Sequence, residues 1–343
     1  ELTTTKQDLT EINPDFIYIT HTHADHYDPD TLAMFPRDTT ILVSWYEHNF
    51  TAKAMKRLGF TDVRISDPEK GIALNGSDHV WIEPNAIYSA VDSMAVFKLD
   101  DKLLLNANDC PYDENQCQTL VERFGKIDIA CVPFGFQGPY PAFYENLTLE
   151  EKKSESNKKK FRNYEIVFNY LETIKPEYYF PLTGGAVYGG KKALMMEYCG
   201  VGTAEELIQI AEERNFKFKA LLMSELSTYD FTTDNQTGTY VKSSHASSAD
   251  YLKRISETPG PFDENGLFWV SPSERIDLSP LLEKAREKQA FWQKRLNISA
   301  DSVYFIDVGQ PTLYRLSLNE DSVSRVNEND ITEDTYEIFR VPY

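Results

Sequence analysis

Three of the six histidines of this chain lie within six consecutive positions, in the stretch THTHADHYD. They are His21, His23 and His26, and Asp25 lies among them. Imidazoles two and five positions apart, with a carboxylate between them, cannot all face one side of a helix or a strand, so they converge only on a turn. Histidine and aspartate together are ligands for zinc, iron or manganese. The spacing therefore predicts a metal-binding loop rather than a chance cluster of surface histidines.

The elements that must position this loop are short apolar runs with turn residues at their ends. Seven such runs predict buried strands: DFIYIT, TTILVSW, DVRIS, HVWIEP, MAVFKL, KLLLNAND and IDIACVPF. Helix-like segments, DPDTLAMFP and YEHNFTAKAMKRLGF, separate the first three of them. Strands that alternate with helices indicate an α/β layer protein, in which the loop leaves the end of the first strand.

The remainder of the chain contains longer predicted helices and fewer strands. NKKKFRNYEIVFNYLETIKPEYYFPL predicts an amphipathic helix and a strand, and TAEELIQIAEERNFK predicts another helix with a threonine N-cap. After Pro259-Gly260-Pro261, a helical segment and a meander of strands predict a separate unit. We therefore expect a metal-binding domain over residues 1–265 and a C-terminal α+β unit over residues 270–343, the latter faintly similar to sterol-carrier modules.

Composition excludes several classes of partner. A net charge of −19 argues against binding to nucleic acid, because phosphate backbones are held by clustered Lys and Arg. One basic cluster, KKSESNKKKFR, is interpreted as a solvated face at the entry to a helix. The four cysteines lack metal-site spacing, so the chain itself holds neither a zinc ribbon nor a Rieske centre, and reduced thiols indicate a cytoplasmic protein. No apolar run is long enough for a membrane span.

The histidine stretch after an apolar strand resembles the signature of the metallo-β-lactamase superfamily. That resemblance implies an αββα sandwich with a metal site at one edge. It assigns His21 and His23 to a first metal and Asp25 and His26 to a second. LLLNANDC matches the later strand of that family that ends in a bridging aspartate, here Asp109. Asp25 and Asp109 would then also be catalytic.

A narrower resemblance covers roughly residues 10–270. DKLLLNANDCPYD, FGFQGPYPAF and RNYEIVFNYLETIKPEYYFPLTG are similar, in order and spacing, to the metallo-β-lactamase-like part of CMP-N-acetylneuraminate hydroxylase and its nucleotide-sugar relatives. This implies hydroxylation of the N-acetyl group of a nucleotide-linked sugar, with electrons from a Rieske module that a separate or upstream segment supplies.

The sequence departs from the superfamily pattern in its metal ligands. The turn that supplies a third histidine to the first metal reads NAIYSAVDS here, so that position falls near Tyr88, and FPLTGGAVYGG lacks the last histidine of the second metal. Five ligands remain: His21, His23, Asp25, His26 and Asp109. They predict one zinc or iron ion rather than two.

A further departure concerns the start of the sandwich. Only 20 residues precede His21, whereas four short strands need roughly 30 to 40. We therefore expect a sheet that lacks some N-terminal strands, or a segment that precedes this chain.

The expected substrate side consists of two loops and a helix. PFGFQGPYPAFY offers aromatic faces for a base or sugar, and TGGAVYGG offers backbone amides for phosphate. The candidate substrate-binding residues are Tyr88, Gln137, Tyr140, Arg162, Gly184 and Gly185.

Three functions remain open at this stage. The first is hydroxylation of a nucleotide sugar by an iron enzyme. The second is zinc-dependent hydrolysis of an ester, phosphodiester or lactone. The third is a non-catalytic module that docks a partner domain and holds a structural metal.

Overall fold

A computed structural model describes residues 12–257 and 277–340 of the chain. Within these ranges it leaves out residues 24, 88–91, 137, 183–187, 225–226, 243–244, 297–302, 308–310, 318–319, 321 and 333–336. The chain divides into two compact units, Glu1–Arg254 and Ile255–Tyr343. The expected boundary at residues 265–270 lies outside the described residues. None of the described helices is long and apolar enough to cross a bilayer.

The first unit contains two β-sheets that face each other. The smaller sheet has β1 (Phe16–Ile19), β2 (Thr40–Val43) and β3 (Val63–Ile65), all parallel and in that order. The larger sheet contains seven strands: β4 (Ile72–Ala73), β5 (His79–Pro84), β6 (Ser93–Leu99), β7 (Lys102–Asn106), β8 (Ile129–Pro133), β9 (Tyr178–Leu182) and β10 (Lys219–Ala220). Their order is β10-β9-β8-β7-β6-β5-β4; β7 to β10 are parallel to one another, and β4 to β7 pair antiparallel.

Helices cover the outer faces of both sheets. They are α1 (Pro29–Ala33), α2 (Phe50–Arg57), α3 (Glu114–Phe124), α4 (Leu149–Ile174) and α5 (Ala204–Glu213), and a further helix, α6 (His245–Glu257), follows later in the chain. A 3-10 helix covers Gly190–Tyr198, and a short hairpin joins β11 (Tyr229–Asp230) to β12 (Asn235–Gln236).

Alternation along the strands explains the layering. In β2, Ile41 and Val43 pack against α1 and α2, whereas Leu42 packs against the larger sheet. In β6, Ala95 faces the smaller sheet while Met94 and Val96 face α3 and α4. Because successive side chains point to opposite faces, each sheet buries one face on the other sheet and one on helices. The result is the αββα sandwich that the sequence predicted.

The second unit contains helix α7 (Ser279–Leu296) and a four-stranded sheet. The strands are β13 (Val303–Asp307), β14 (Leu313–Ser317), β15 (Ser324–Val326) and β16 (Glu337–Arg340), in the order β15-β14-β13-β16. A 3-10 helix spans Glu328–Asp330. The helix and the meander in this region agree with the α+β character expected from the sequence.

One expectation about α4 was wrong. The basic cluster is part of the helix itself, which begins after the capping box formed by Thr148 and Glu151. It is also not a uniformly solvated face, because Lys152 and Lys159 are each only 8% exposed. The sequence analysis missed the burial of these two lysines because it depends on loops that are distant in the sequence.

Candidate metal centre

The histidine loop follows the buried end of β1 and is closed by its own backbone. The amides of His26 and Tyr27 both donate to the carbonyl of His23, at 3.0 and 2.8 Å. The carboxylate of Asp28 then accepts from the amide of Thr31 and caps α1. A strand end and a helix start thus fix both ends of the turn, as the spacing of the motif requires.

A hydrogen bond between the two sheets brings a second segment to the loop. The Ser93 hydroxyl, at the start of β6, donates to the carbonyl of Thr20 at 2.6 Å, and the Tyr18 hydroxyl lies 2.9 Å from the same oxygen of Ser93. Ser93 is fully buried. Because Thr20 precedes His21 and Ser93 follows Asp92, this contact places the His21 imidazole beside the Asp92 carboxylate.

His21 is the centre of the arrangement and is fully buried. Its Nδ1 lies 3.0 Å from the Thr20 hydroxyl and 3.3 Å from the side-chain amide of Asn108. Both contacts lie on the Nδ1 side of the ring, whereas Nε2 faces His23 and Asp92. Nε2 is therefore the nitrogen that His21 offers to a cation.

The first group of candidate ligands consists of His21, His23 and Asp92. Nε2 of His21 lies 2.9 Å from Nδ1 of His23 and 3.5 Å from Oδ1 of Asp92. Metal–ligand distances of about 2.0–2.1 Å in tetrahedral geometry separate ligand atoms by about 3.3 Å, close to these values.

The state of Asp92 tests whether a cation fits here. Asp92 is 5% exposed, and its Oδ1 is buried without a hydrogen-bond partner in the described part of the chain. A buried carboxylate oxygen without a donor is costly, and a bound cation removes that cost. The donor set and this orphaned oxygen fit a divalent ion.

The second group consists of His21, His26 and Asp109. Asp109 follows β7, and its Oδ2 accepts a hydrogen bond from Nε2 of His26 at 2.9 Å. Asp25 lies at the rim, where its side chain is 73% exposed and its Oδ2 is 3.6 Å from the same nitrogen of His26. Carboxylates thus face the imidazoles from two sides.

The pKa values of these side chains shift in different directions. Burial, reinforced by the neighbouring imidazoles of His26 and His23, lowers the pKa of His21 to about 4 and keeps it neutral. The hydrogen bond to Asp109 raises the pKa of His26. Burial raises the pKa of Asp92; for Asp109, burial acts in the same direction, but the hydrogen bond and charge of His26 outweigh it and lower the pKa.

The structure places four of the five predicted ligands, His21, His23, His26 and Asp109, in the two groups and adds Asp92, which the sequence analysis missed, whereas Asp25 lies outside both groups. Asp92 occupies the turn from which a third histidine was expected. The stretch NAIYSAVDS contained the signal, because its aspartate directly precedes a strand, but the absence of a histidine drew attention to Tyr88 instead. His79 belongs to neither group, and its Nε2 donates to the Lys70 carbonyl at 2.6 Å.

The predicted substrate-binding residues are only partly visible. Tyr88, Gln137, Gly184 and Gly185 lie outside the described residues. Tyr140 is 36% exposed and its hydroxyl donates to Glu155 at 2.7 Å. Arg162 is exposed on α4.

Comparisons with known proteins give similarity of fold only. No protein-family model and no curated protein matches the sequence. Among solved structures, CmlA, a diiron β-hydroxylase from Streptomyces venezuelae, matches 61% of this chain at 16% identity and a TM-score of 0.43. This chain spans 44% of the length of CmlA.

Two further neighbours have similar coverage. Isothiocyanate hydrolase from Delia radicum gut bacteria matches 66% of this chain and 77% of its own, at 15% identity and a TM-score of 0.40. The metallo-β-lactamase fold protein YhfI from Bacillus subtilis matches 60% of this chain and 74% of its own, at 8% identity and a TM-score of 0.36. Scores this low carry no argument about activity, which must come from the side chains of this chain.

Removing the imidazole that the two groups share tests the centre directly. We expect His21→Ala to weaken binding of Fe²⁺ or Mn²⁺ by roughly a hundredfold or more, because both groups lose a ligand at once. His79→Ala is the matched control and should bind as the parent does. Anaerobic titration calorimetry measures both, with circular dichroism to check the fold. Equal affinity for the two variants would contradict the assignment.

Proposed function

We propose that this chain is a metal-dependent enzyme whose ion is held by His21, His23 and Asp92, with His26, Asp109 and Asp25 facing its open positions. The observation that carries the proposal is that each of the two groups pairs two imidazoles with one carboxylate. Two histidines and one carboxylate, with open positions, are the ligand set of non-haem iron(II) oxygenases. This donor set favours iron, and with it oxidation, over zinc hydrolysis.

The shared histidine favours one ion over two. Nδ1 of His21 faces Thr20 and Asn108, so only Nε2 is available, and one lone pair serves one cation. Two ions would leave one group with a single imidazole and a carboxylate, plus the exposed Asp25. One ion at His21, His23 and Asp92 satisfies the buried Asp92 oxygen and leaves the hydrogen bond between His26 and Asp109 intact.

The proposed reaction is hydroxylation of the N-acetyl group of a nucleotide-linked sugar. One oxygen atom of O₂ enters a C–H bond, and the other leaves as water after taking up two electrons and two protons. A Rieske-type partner supplies those electrons, and a divalent iron supplies the site for dioxygen chemistry when bound. The narrower sequence resemblance supports this substrate and this electron donor.

The protein's own residues have distinct tasks in this proposal. Thr20 and Asn108 hold the buried His21 ring in one orientation, so that its Nε2 would point at the ion. Asp25 and Asp109 are proposed as the catalytic carboxylates, because they are the more exposed acids of the centre and can meet substrate or water. The Asp109 carboxylate accepts a hydrogen bond from His26, whose raised pKa would hold a proton beside the reacting atoms.

The loops that follow β8 and β9 are proposed as walls of the substrate pocket. Gln137 and Tyr140, with Tyr88 from the segment between β5 and β6, would contact the sugar and base, and Gly184 and Gly185 would contact the phosphate. Because β7, β8 and β9 are parallel, their carboxyl ends share the edge that carries Asp109.

Replacing the proposed carboxylate ligand by histidine should change which metal the protein prefers. Asp92→His creates a three-histidine set typical of catalytic zinc, so we expect protein produced with both metals to shift from mostly iron to mostly zinc. The exposed Asp101→His is the control. Metal analysis of protein purified without chelator gives the ratio. Zinc alone in the parent chain would overturn the oxygenase proposal and leave a hydrolase.

Asp25 separates an enzyme from a docking module. With iron, O₂ and a Rieske-type electron donor, the parent chain should convert a CMP-linked N-acetyl sugar into a product one oxygen atom heavier by mass spectrometry. Asp25→Ala should lower turnover by about a hundredfold or more, as loss of a catalytic carboxylate does, while circular dichroism stays unchanged. Undiminished turnover in Asp25→Ala would show that the sandwich merely docks a catalytic partner.

A further inference from the structure

A stripe of buried polar residues follows one face of the first half of α4. Its members are Lys152, Ser156, Lys159 and Asn163, which are all less than 9% exposed. Spacings of four, three and four residues place them on one side of the helix. Buried polar side chains in this number need partners. Ser156 donates to the Glu197 carbonyl at 3.5 Å and Asn163 to the Gly200 carbonyl at 3.4 Å, so two of the four are satisfied by backbone.

The two lysines of the stripe differ from their neighbours in their charge partners. Lys158 and Lys160, on the same helix, form ion pairs with Glu155 and Glu206, at 2.5 and 2.7 Å. Among the residues that the structure describes, no carboxylate oxygen lies within 4.0 Å of the ammonium of Lys152 or Lys159. The more exposed lysines are thus neutralised, whereas the buried ones are not.

Lys159 shows what is available to a ligand. Its ammonium donates one hydrogen bond, to the carbonyl of Tyr140 at 2.9 Å, and an ammonium has three donors. Burial lowers its pKa, which reflects the cost of an ammonium that no anion compensates. An oxyanion would remove that cost and use the remaining donors.

The lysine is also held in place before any ligand arrives. At Gly200, whose φ is +71°, an added Cβ would lie only 2.8–3.0 Å from the aliphatic stem of Lys159. Gly138, in the loop after β8, lies near the other end of this side chain, since an added Cβ there would be in ordinary contact with the ammonium, at 3.9 Å. A side chain fixed in this way loses little freedom on binding, which favours affinity.

The position of Lys159 links it to the metal edge. Tyr140 belongs to the loop that follows β8, and β8 is paired in parallel with β7, which leads to Asp109. Carboxyl ends of parallel strands meet at one edge, where α/β proteins bind their ligands. We propose that Lys159, with Lys152 two turns earlier, binds a phosphate group of the small-molecule substrate at this edge. This inference rests on the proposed function for its substrate and replaces the exposed Arg162 as the main phosphate contact.

Inorganic pyrophosphate is the probe, and metal-free protein is used so that the ion plays no part. In titration calorimetry, Lys159→Met should weaken binding by about tenfold or more, because a charge-assisted contact is lost. Lys159→Arg should retain most of the affinity. The exposed Lys153→Met is the control on the same helix and should bind like the parent.

Thermal unfolding distinguishes a ligand site from a merely structural lysine. If the ammonium awaits an anion, Lys159→Met without ligand should be as stable as the parent or more so, because a buried unpaired charge is removed. A structural lysine that ties down the Tyr140 loop predicts lower stability and unchanged pyrophosphate affinity, and that result would overturn the proposal. Binding by metal-free His21→Ala protein keeps the two proposals separate, since it should persist even if the metal assignment fails.

Discussion

Strand ends from two different sheets meet around one buried imidazole, and this convergence determines the rest of the centre. His21 leaves the end of β1 in the smaller sheet, Asp92 precedes β6, and Asn108 and Asp109 follow β7 in the larger sheet. The hydrogen bond from Ser93 to the carbonyl of Thr20 joins these sheets at their shared edge. It fixes the residue before His21 beside the residue after Asp92, and so brings the two halves of the first ligand group together.

Charge is distributed unusually in this unit. The metal edge buries the neutral His21 beside the acid Asp92, whose Oδ1 has no hydrogen-bond donor in the described residues. The first half of α4 buries Lys159, which has no acid beside it there. A buried charged group without a partner lowers stability, and a ligand of opposite charge would remove that cost for both the Asp92 carboxylate and the Lys159 ammonium. The two features together are typical of a site for a cation and a negatively charged substrate.

Much of the fold could be predicted because its signals are local. The seven apolar runs, the helix after Thr203 and the turn at the histidines each depend on a few neighbouring residues, and the structure contains all of them. Four of the five ligands named from the sequence also come together, and Asp25 lies at the exposed rim. Asp92 could not be recognised in the same way, because its role depends on a hydrogen bond between residues 73 positions apart.

The burial of Lys152 and Lys159 was likewise beyond a sequence pattern. Both lie in a run that contains four other basic residues and looks solvated throughout. Only the folding of the loop at Tyr140 and of the segment at Gly200 over α4 selects which lysines are covered. Local periodicity cannot predict the burial of such residues, because distant loops determine it.

A crystal structure of the chain grown anaerobically with Fe²⁺, with anomalous scattering measured at the iron edge, tests the central claim most directly. The account predicts a single anomalous peak within about 2.0–2.3 Å of Nε2 of His21 and of the Asp92 carboxylate. A peak elsewhere, or an Asp92 oxygen that remains uncoordinated while iron is bound, would contradict it.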